Sequence, residues 1–251
     1  MRPPGRPRSW REATDRPQRI ALLALYRMKL RHAITVVLVS FSGAVRVHVA
    51  VEGGIGIGKT TLLQDLQAHL KDPSIAFRTE PVDVWREHGL LDGMYNKSLS
   101  SAVFQLTALT TRFGGLLTAL ADPEVAIVVT ERSMRSDYQV FAESNLEDQV
   151  ELAAYRVAYE HLRQAIPEDV VEATVYLAAP NTDIVRNRIR NRGRPEEQNI
   201  PETYLEALSD AHERMFQAIT HHKLRVDASQ PPEVVAQEVI AFVKSLSAES
   251  S

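Results

Sequence analysis

A glycine-rich segment between an apolar run and a helical pattern restricts the fold of this chain more than any other feature. Residues 47–51 are rich in β-branched side chains, and they lead into Gly53-Gly54-Ile55-Gly56-Ile57-Gly58-Lys59-Thr60. After it, leucines recur at helical spacing through residues 60–70. The segment matches G-x-x-x-x-G-K-[ST] in the required strand-to-helix context. It therefore predicts a loop whose backbone N–H groups surround the phosphates of a nucleoside triphosphate.

Each polar side chain of this loop has an expected partner. Lys59 is expected to neutralise charge on the β- and γ-phosphates, and the Thr60 hydroxyl to ligate Mg²⁺. The residues expected to bind ATP here are Gly53, Gly54, Ile55, Gly56, Ile57, Gly58, Lys59, Thr60 and Thr61.

Beyond the loop, strand and helix patterns alternate. Short apolar runs predict strands at residues 76–79, 125–130, 173–178 and 223–226. Helical spacing predicts helices at 103–120, 148–164, 183–191, 201–220 and 232–246. Because short apolar strands separated by helices are typical of a parallel sheet covered on both faces, residues 47–251 are predicted to form one α/β domain.

Composition restricts the chemistry of this domain. The chain has 251 residues, 44% of them hydrophobic and 24% charged, and contains no cysteine. Disulfide frameworks, thiolate zinc sites and thiol nucleophiles are therefore excluded. No uncharged apolar run reaches the eighteen or so residues that a membrane span needs, so no membrane partner is expected.

The first 46 residues differ from the rest of the chain in charge. They hold ten basic and two acidic residues, a net charge of +8, so the total of −3 leaves −11 for the remainder. The Arg- and Pro-rich beginning predicts a disordered leader. A dispensable, solvated leader is favoured, with a cytoplasmic protein. A mitochondrial transit peptide and a nucleic-acid-binding arm are the alternatives.

Several blocks downstream of the loop decide which triphosphate chemistry is expected. In chain order they are Glu80-Pro81-Val82-Asp83-Val84-Trp85, Phe104-Gln105, Glu131-Arg132-Ser133, and the arginines of residues 188–194 followed by Glu196-Glu197. Together with the loop, over about residues 47–245, these blocks resemble the deoxynucleoside kinase family. The resemblance implies a central five-stranded parallel sheet with flanking helices and an Arg-rich lid. It also implies transfer of the ATP γ-phosphate to a deoxynucleoside 5′-hydroxyl in nucleotide salvage.

The resemblance assigns catalytic roles to three of these residues. Glu80 looks like the general base that accepts the proton of the 5′-hydroxyl. Arg132 is expected beside Glu80, where it keeps the carboxylate ionised and offsets transition-state charge. Glu131, at the end of a strand, is the expected second Mg²⁺ ligand beside Thr60.

The resemblance also implies the deoxynucleoside pocket. Gln105 matches the amide that pairs with the base. Arg112 and Asp137 match an Arg–Asp pair of the deoxycytidine- and purine-preferring branch, although thymidine use stays open. Tyr95 and Glu197 match the readers of the 3′-hydroxyl. Apolar walls are expected from Ile55, Val82, Trp85, Leu91, Phe104 and Phe141.

In the lid, arginines four residues apart are expected to share a helix face, Arg188 with Arg192 and Arg190 with Arg194. By resemblance, Arg188, Arg192 and Arg194 close over the ATP phosphates. Arg186 and Arg190 are interpreted as solvated. His221 and His222 are interpreted as a surface pair.

Two other functions stay open at this point. A nucleoside monophosphate kinase, such as a thymidylate kinase, shares the loop and the lid but needs cations for a substrate phosphate where Glu80 lies. A non-catalytic nucleotide-sensing protein would use only the loop and the basic arm. The expected partners are ATP, a deoxynucleoside and a second copy of the chain, since family members are commonly dimers; no nucleic acid partner is expected.

Overall fold

The computed structural model describes residues 45–197 and 200–249. Their centre is a five-stranded sheet in which every pairing is parallel, as the sequence predicts, with the order β2-β3-β1-β4-β5. The strands are β1 (Arg46–Glu52), β2 (Ile75–Arg78), β3 (Ile127–Glu131), β4 (Val170–Ala178) and β5 (His222–Asp227).

Helices cover both faces of this sheet. They are α1 (Lys59–His69), α2 (Val82–Glu87), α3 (Leu90–Tyr95), α4 (Ser101–Leu120), α5 (Gln149–Arg163), α6 (Thr182–Arg192), α7 (Glu202–Ala218) and α8 (Pro232–Glu249). A helical segment between β3 and α5 comprises the turn Met134–Ser136, the π-helix Asp137–Ala142 and the turn Glu143–Asn145. No helix within the described ranges is long and apolar enough to cross a membrane.

The two faces of the sheet differ in chemistry because side chains alternate along each strand. On one face, Val47, Val49 and Val51 of β1 pack with apolar residues of β3 and β4 against α1, α6 and α8 in the largest apolar cluster. The other face carries buried polar side chains, among them His48 and Glu52. The apolar face stabilises the sheet. On the other face, buried polar side chains extend to the carboxyl ends of β1 and β3.

The carboxyl ends of the strands meet at one edge of the sheet, where ligands gather in open α/β folds. The Gly53–Thr60 loop follows β1, Glu80 follows β2 and Arg132 follows β3. The backbone therefore brings the separated sequence blocks to one edge.

The predicted elements are present with small changes in their bounds, and some elements were not predicted. Helices α2 and α3 have six residues each, too short for a periodic pattern. They are stabilised by packing of Trp85 and Leu91 with Phe104 and Ala108 of α4. The basic leader lies outside the described residues except for its last two. Arg46, the very last, is 8% exposed and begins β1, where its guanidinium donates to the Leu120 carbonyl.

Candidate active site

The glycine loop between β1 and α1 is wrapped tightly by its neighbours. Gly53, Gly56 and Gly58 have φ values of 138°, 76° and 110°, which L side chains rarely adopt. A Cβ on Gly53 would lie 2.7 Å from the Leu177 carbonyl oxygen. A Cβ on Gly54, where the family commonly has Asn, would meet no atom within 4 Å. The first, fourth and sixth positions of the motif therefore need glycine, whereas the second has room for a side chain.

Lys59 folds back over this loop. Its Nζ donates to the carbonyl oxygens of Gly53 and Gly54 at 3.1 and 2.9 Å. Burial, followed by the positive charge of Arg132, lowers the pKa of Lys59 to about 8. A bound anion would counteract both effects, so the ammonium is poised to receive phosphate charge.

The cleft beside the loop has a volume of about 500 Å³. The predicted ATP-binding residues Thr61, Arg188, Arg192 and Arg194 line it together with Gly56–Thr60 and Glu131. Gly53 and Gly54 contribute the carbonyl oxygens that hold Lys59. Ile55 lines the adjoining cleft instead.

An oxygen pair suited to a hard cation lies at the edge of the cleft. The Thr60 hydroxyl is 3.1 Å from both carboxylate oxygens of Glu131. Burial, followed by the negative charge of Glu80, raises the pKa of Glu131. Hydroxyl and carboxylate oxygens are the ligands Mg²⁺ prefers, and this ion usually takes one or two carboxylates plus substrate phosphates. The described residues contain no cluster of three His, Cys, Asp or Glu side chains suited to a metal ion.

Glu80 lies between two arginines. Its Oε1 accepts from Arg132 Nε at 2.7 Å, the contact the sequence predicts, and from Arg112 Nη1 at 2.8 Å, which the sequence does not. Burial raises the pKa of Glu80, but Arg132, Arg112 and Lys59 outweigh it and lower the pKa to about 2. The carboxylate is therefore ionised at neutral pH.

Arg132 is held in an unusual backbone conformation. It has φ 68°, uncommon for a residue with a side chain. Its N–H donates to the Val51 carbonyl at 2.9 Å, and its carbonyl accepts from the Thr130 hydroxyl at 2.7 Å. His48 Nε2 lies 2.8 Å from the same hydroxyl. These contacts of the polar sheet face fix the point where the chain leaves β3.

A second cleft continues from Glu80 and has mixed polar and apolar walls. Its lining includes the predicted pocket residues Ile55, Val82, Trp85, Leu91, Tyr95, Phe104, Gln105, Arg112, Phe141 and Glu197. Gln105 is only 3% exposed, so it is not a surface glutamine. Trp85 and Phe104 meet edge to face with ring centroids 5.6 Å apart. These residues therefore lie around one cleft, and their part in binding a substrate stays a prediction.

The predicted Arg–Asp pair is formed beside Glu80, and its arginine lines this cleft. Arg112 Nη2 lies 2.7 Å from Asp137 Oδ1. Asp137 is 1% exposed, and burial raises its pKa to about 6 although Arg112 opposes the shift. Arg112 Nη1 also contacts Glu80 at 2.8 Å, so one guanidinium joins the carboxylates of Asp137 and Glu80.

The lid differs from the prediction in one respect. Helix α6 ends at Arg192, and Gly193 follows with φ 67°. Arg194 therefore leaves the helix and does not share a face with Arg190, so that part of the prediction is wrong. Arg192 and Arg194 both donate to the carboxylate of Glu197 in the Pro195–Glu197 turn. The distance from Arg194 Nη1 to Glu197 Oε1 is 3.1 Å. Glu197 is thus held by the arginines expected at the phosphates.

The remaining lid arginines, Arg188 and Arg186, have different partners. Arg188 donates to the carbonyl oxygens of Ile57 and Ala228 at 2.7 Å each, bridging the glycine loop and the segment after β5. Arg186 pairs with Glu202 at 2.7 Å, outside both clefts. Burial, followed by the negative charge of Glu197, raises the pKa of the Tyr95 hydroxyl.

Some residues near the site were missed by sequence reasoning. Glu52, the last residue of β1, is 1% exposed and accepts from Ser133 N and Oγ at 2.8 and 2.6 Å. Its acidic character directly before the glycine loop was the available signal. His212 of α7 contacts Arg132 and had no local signal. Of the predicted surface pair, His222 is exposed, but His221 is half-buried and bonded to Thr174 at 2.9 Å.

The sequence and the fold of this chain are similar to those of known proteins. The family model described as deoxynucleoside kinase matches residues 49–246. A probable deoxycytidine kinase of fowlpox virus is 30% identical over 183 residues, covering 71% of this chain and 75% of its own length. Human deoxycytidine kinase is 30% identical over 194 residues, covering 66% and 73%. A deoxyadenosine kinase structure from M. mycoides with bound dCTP shares the fold, with a TM-score of 0.64, 22% identity and coverage of 79% and 99%.

Proposed function

This chain belongs to the deoxynucleoside kinase family, and from that premise we propose that it transfers the γ-phosphate of ATP to the 5′-hydroxyl of deoxycytidine or a purine deoxynucleoside. The observation that carries the substrate class is the buried Arg112–Asp137 pair, whose arginine lines the second cleft. An enzyme of this class supplies deoxynucleoside monophosphates to nucleotide salvage. The linings of the two clefts share Lys59, Thr60 and Glu131, and Glu80 and Arg132 line the second cleft; the reacting oxygen and the γ-phosphate would come together there.

In this proposal Glu80 is the general base. Its ionised carboxylate accepts the proton of the 5′-hydroxyl while that oxygen attacks the γ-phosphate. Phosphoryl transfer depends mainly on positioning and charge stabilisation, so one oriented carboxylate is sufficient. The pKa of about 2 makes Glu80 a weak base at equilibrium, and this suits a proton that moves late, after the new bond to phosphorus has begun to form.

Cationic side chains stabilise the phosphates. Arg132 offsets the charge that develops near Glu80, and Lys59 neutralises the β- and γ-phosphates. Arg188, Arg192 and Arg194 close over the triphosphate, which requires Arg192 and Arg194 to exchange part of their contact with Glu197 for phosphate oxygens. Planar guanidinium groups make such bidentate contacts well.

Thr60 and Glu131 would hold Mg²⁺ in the presence of the nucleotide. When bound, the ion would neutralise negative charge that develops on the phosphates. Thr60 Oγ1 and Glu131 are already within hydrogen-bonding distance of each other, so the protein's share of the ligand set is assembled before the substrate arrives.

Base choice would be made by Gln105, Arg112 and Asp137. The Gln105 amide offers a donor and an acceptor to one base edge. Arg112 and Asp137 face the exocyclic group and narrow the space for a 5-methyl. Tyr95 and Glu197 read the 3′-hydroxyl. The proposed preference agrees with the names of the fowlpox virus and human relatives, both deoxycytidine kinases.

A substrate panel tests this proposal. With Mg²⁺–ATP as donor, kcat/KM is measured for deoxycytidine, deoxyadenosine, deoxyguanosine and thymidine. The proposal expects one of the first three to be the best substrate. A clear preference for thymidine would contradict the role given to the Arg112–Asp137 pair but not the membership of the family.

Replacing Arg112 with Met and Asp137 with Ala should raise thymidine use relative to deoxycytidine. The substitutions remove the charged pair and open space for the methyl group, and we expect the kcat/KM ratio to change by about tenfold or more. The double variant is compared with the wild type at one ATP concentration, with the KM for ATP as the control. An unchanged ratio would remove the pair from base selection.

We also propose that the protein is a homodimer, as is common in the family. Val150 and Val157 of α5 are 77% and 69% exposed and lie two helical turns apart, while Val103 of the adjacent α4 is 50% exposed. Apolar exposure on two packed helices is typical of a contact surface. A Val157→Glu variant should sediment as a monomer. A Val234→Glu variant on α8, which packs against the other face of the sheet, should not change the mass. An unaltered mass for Val157→Glu would exclude this surface.

Residues 1–44 are proposed to be dispensable for turnover. Strand β1 begins at Arg46, so the truncation leaves the strand intact. We expect kcat and both KM values of the truncated protein to stay within about twofold of the full chain, because it keeps all the residues that line the two clefts in the described part of the chain. A large loss of kcat would mean that the leader contributes to the kinase domain.

A cytoplasmic location is proposed for the protein. The alternative, a mitochondrial transit peptide, is tested by whether the leader directs a reporter protein to mitochondria.

A further inference from the structure

A buried histidine on α7 lies against Arg132, far from it in sequence. His212 is 0% exposed and Arg132 is 5% exposed. Arg132 Nη1 and His212 Nε2 are 3.3 Å apart. A histidine beside a guanidinium can accept a hydrogen bond from it only if the ring is neutral and the facing nitrogen carries no proton.

The contacts of His212 determine its tautomer. Nδ1 lies 2.7 Å from the carbonyl oxygen of Leu208, one turn earlier on α7. A carbonyl oxygen only accepts, so Nδ1 carries the proton and Nε2 of the neutral ring is an acceptor. Burial, followed by the positive charge of Arg132, lowers the pKa of His212 to about 3. The ring is therefore neutral at pH 7, and Arg132 donates to it.

The contact with His212 occupies part of the hydrogen-bonding capacity of Arg132. A guanidinium has five N–H donors, one on Nε and two on each terminal nitrogen. Arg132 Nε donates to Glu80 Oε1 at 2.7 Å, and Nη1 donates to the Gly53 carbonyl at 3.0 Å and to His212. In the part of the chain that the structure describes, both Nη2 donors are left for a substrate oxygen, and Arg132 lines the deoxynucleoside cleft.

Aromatic packing fixes the two groups further. The Phe141 ring lies under the Arg132 guanidinium, with 4.3 Å from Cζ to the ring centroid, and meets His212 edge to face at 5.8 Å. Tyr176 stacks on His212 with an interplanar angle of 4°. The imidazole has little freedom to rotate, so Nε2 stays directed at Arg132.

We propose that His212 is a positioning residue that fixes the guanidinium plane of Arg132 and directs its Nη2 donors at the transferring phosphoryl group. The proposal rests on the role given above to Arg132. His212 itself does not touch the substrate. Without its acceptor, Nη1 would keep one partner instead of two, and the guanidinium could rotate about its remaining contacts with Glu80 and Gly53.

Two amide substitutions separate the two ring nitrogens. Glutamine reaches the position of Nε2 and keeps an acceptor for Arg132, whereas asparagine reaches only the position of Nδ1 and its contact with Leu208. We expect His212→Asn to lower kcat by about tenfold or more, with both KM values within about threefold, because a hydrogen bond to a charged group is lost. His212→Gln should keep kcat within about threefold of the wild type.

The control is Phe216→Leu on the same helix. Phe216 packs against Tyr176 at 5.2 Å and makes no contact with Arg132, so it reports a general loss of packing in α7. The melting temperature of each variant is measured alongside. Equal kcat for the asparagine and glutamine variants, or a loss with Phe216→Leu as large as with His212→Asn, would overturn the proposal.

The wild-type protein provides a test that needs no substitution. Nitrogen NMR of ¹⁵N-histidine-labelled protein distinguishes the two neutral tautomers and the charged ring. We expect the neutral Nδ1–H form for His212 at pH 7; an Nε2–H form or an imidazolium would contradict the proposal. If Arg132→Met retains activity, the proposed role of Arg132 fails. If that variant is inactive while His212→Asn is fully active, only this inference fails.

Discussion

Glu80→Gln is expected to lower kcat about a thousandfold while leaving both KM values within about threefold, because general-base catalysis typically contributes 10²- to 10⁴-fold. The substitution keeps the shape of the side chain but removes the oxygen charge that accepts the proton. The fall in kcat is measured from initial rates of monophosphate formation with Mg²⁺–ATP and the preferred deoxynucleoside. A second consequence is electrostatic, because Arg112 and Arg132 would lose the carboxylate that both contact.

Glu87→Gln is the matched control for this variant. Glu87 ends α2 and is exposed, so the same change in charge occurs near the cleft without affecting the arginines. We expect wild-type kinetics for it. If Glu80→Gln and Glu87→Gln were equally active, the general base would have to be sought elsewhere, and the contacts of Glu80 would be structural.

Arg132→Met is the second substitution with a large expected effect, a fall in kcat of about 10²- to 10³-fold from the loss of a donor aimed at developing charge. The variant should also change the pH profile. Arg132 is the strongest of the positive charges that lower the pKa of Glu80, so its removal raises that pKa. The acid limb of kcat/KM should then move to higher pH, since Glu80 must be ionised to accept a proton.

Arg135→Met is the matched control for the arginine. It lies three residues further along the chain, with a side chain 30% exposed and its nearest carboxylate, Glu172, at 3.9 Å. Neither kcat nor the acid limb should change. A fall in kcat for Arg132→Met without any movement of the acid limb would separate the two roles and leave only the transition-state contact.

The link between Arg112 and Glu80 has a consequence for substrate selection. A single guanidinium contacts Asp137 at 2.7 Å and Glu80 at 2.8 Å. A nucleobase that draws Arg112 toward itself would also alter the charge around Glu80, the proposed general base. Substitutions made at Arg112 to broaden base choice are therefore expected to change the pH dependence of turnover as well as specificity.

Local sequence signals were sufficient for the parts of the site that depend on short-range patterns. The glycine loop and the five strands follow from spacing and residue type alone. The family resemblance supplied Gln105, the Arg112–Asp137 pair and the expectation that Arg132 lies beside Glu80. The structure shows the Arg132–Glu80 contact at 2.7 Å, where the chain leaves β2 and β3 at one edge of the sheet.

The features that sequence reasoning missed depend on long-range packing. Helix α3 begins after Gly89 at φ 66° and has only six residues, so neither propensity nor periodicity indicates it. The π-helix that carries Asp137 is likewise a product of its surroundings. His212 lies 80 residues from Arg132, and an isolated histidine on an amphipathic helix gives no hint of that contact. The wrong pairing of Arg190 with Arg194 has a local cause, because Gly193 ends α6 between them.

One assay tests the central claim most directly. Mg²⁺–[γ-³²P]ATP is incubated separately with each deoxynucleoside and with each deoxynucleoside monophosphate, and the labelled products are separated. The account predicts label in deoxynucleoside monophosphates, with deoxycytidine or a purine deoxynucleoside as the best acceptor and no appreciable transfer to monophosphates. Label in diphosphates alone would indicate a monophosphate kinase, and no transfer to any acceptor would indicate nucleotide binding without catalysis; either result would contradict the account.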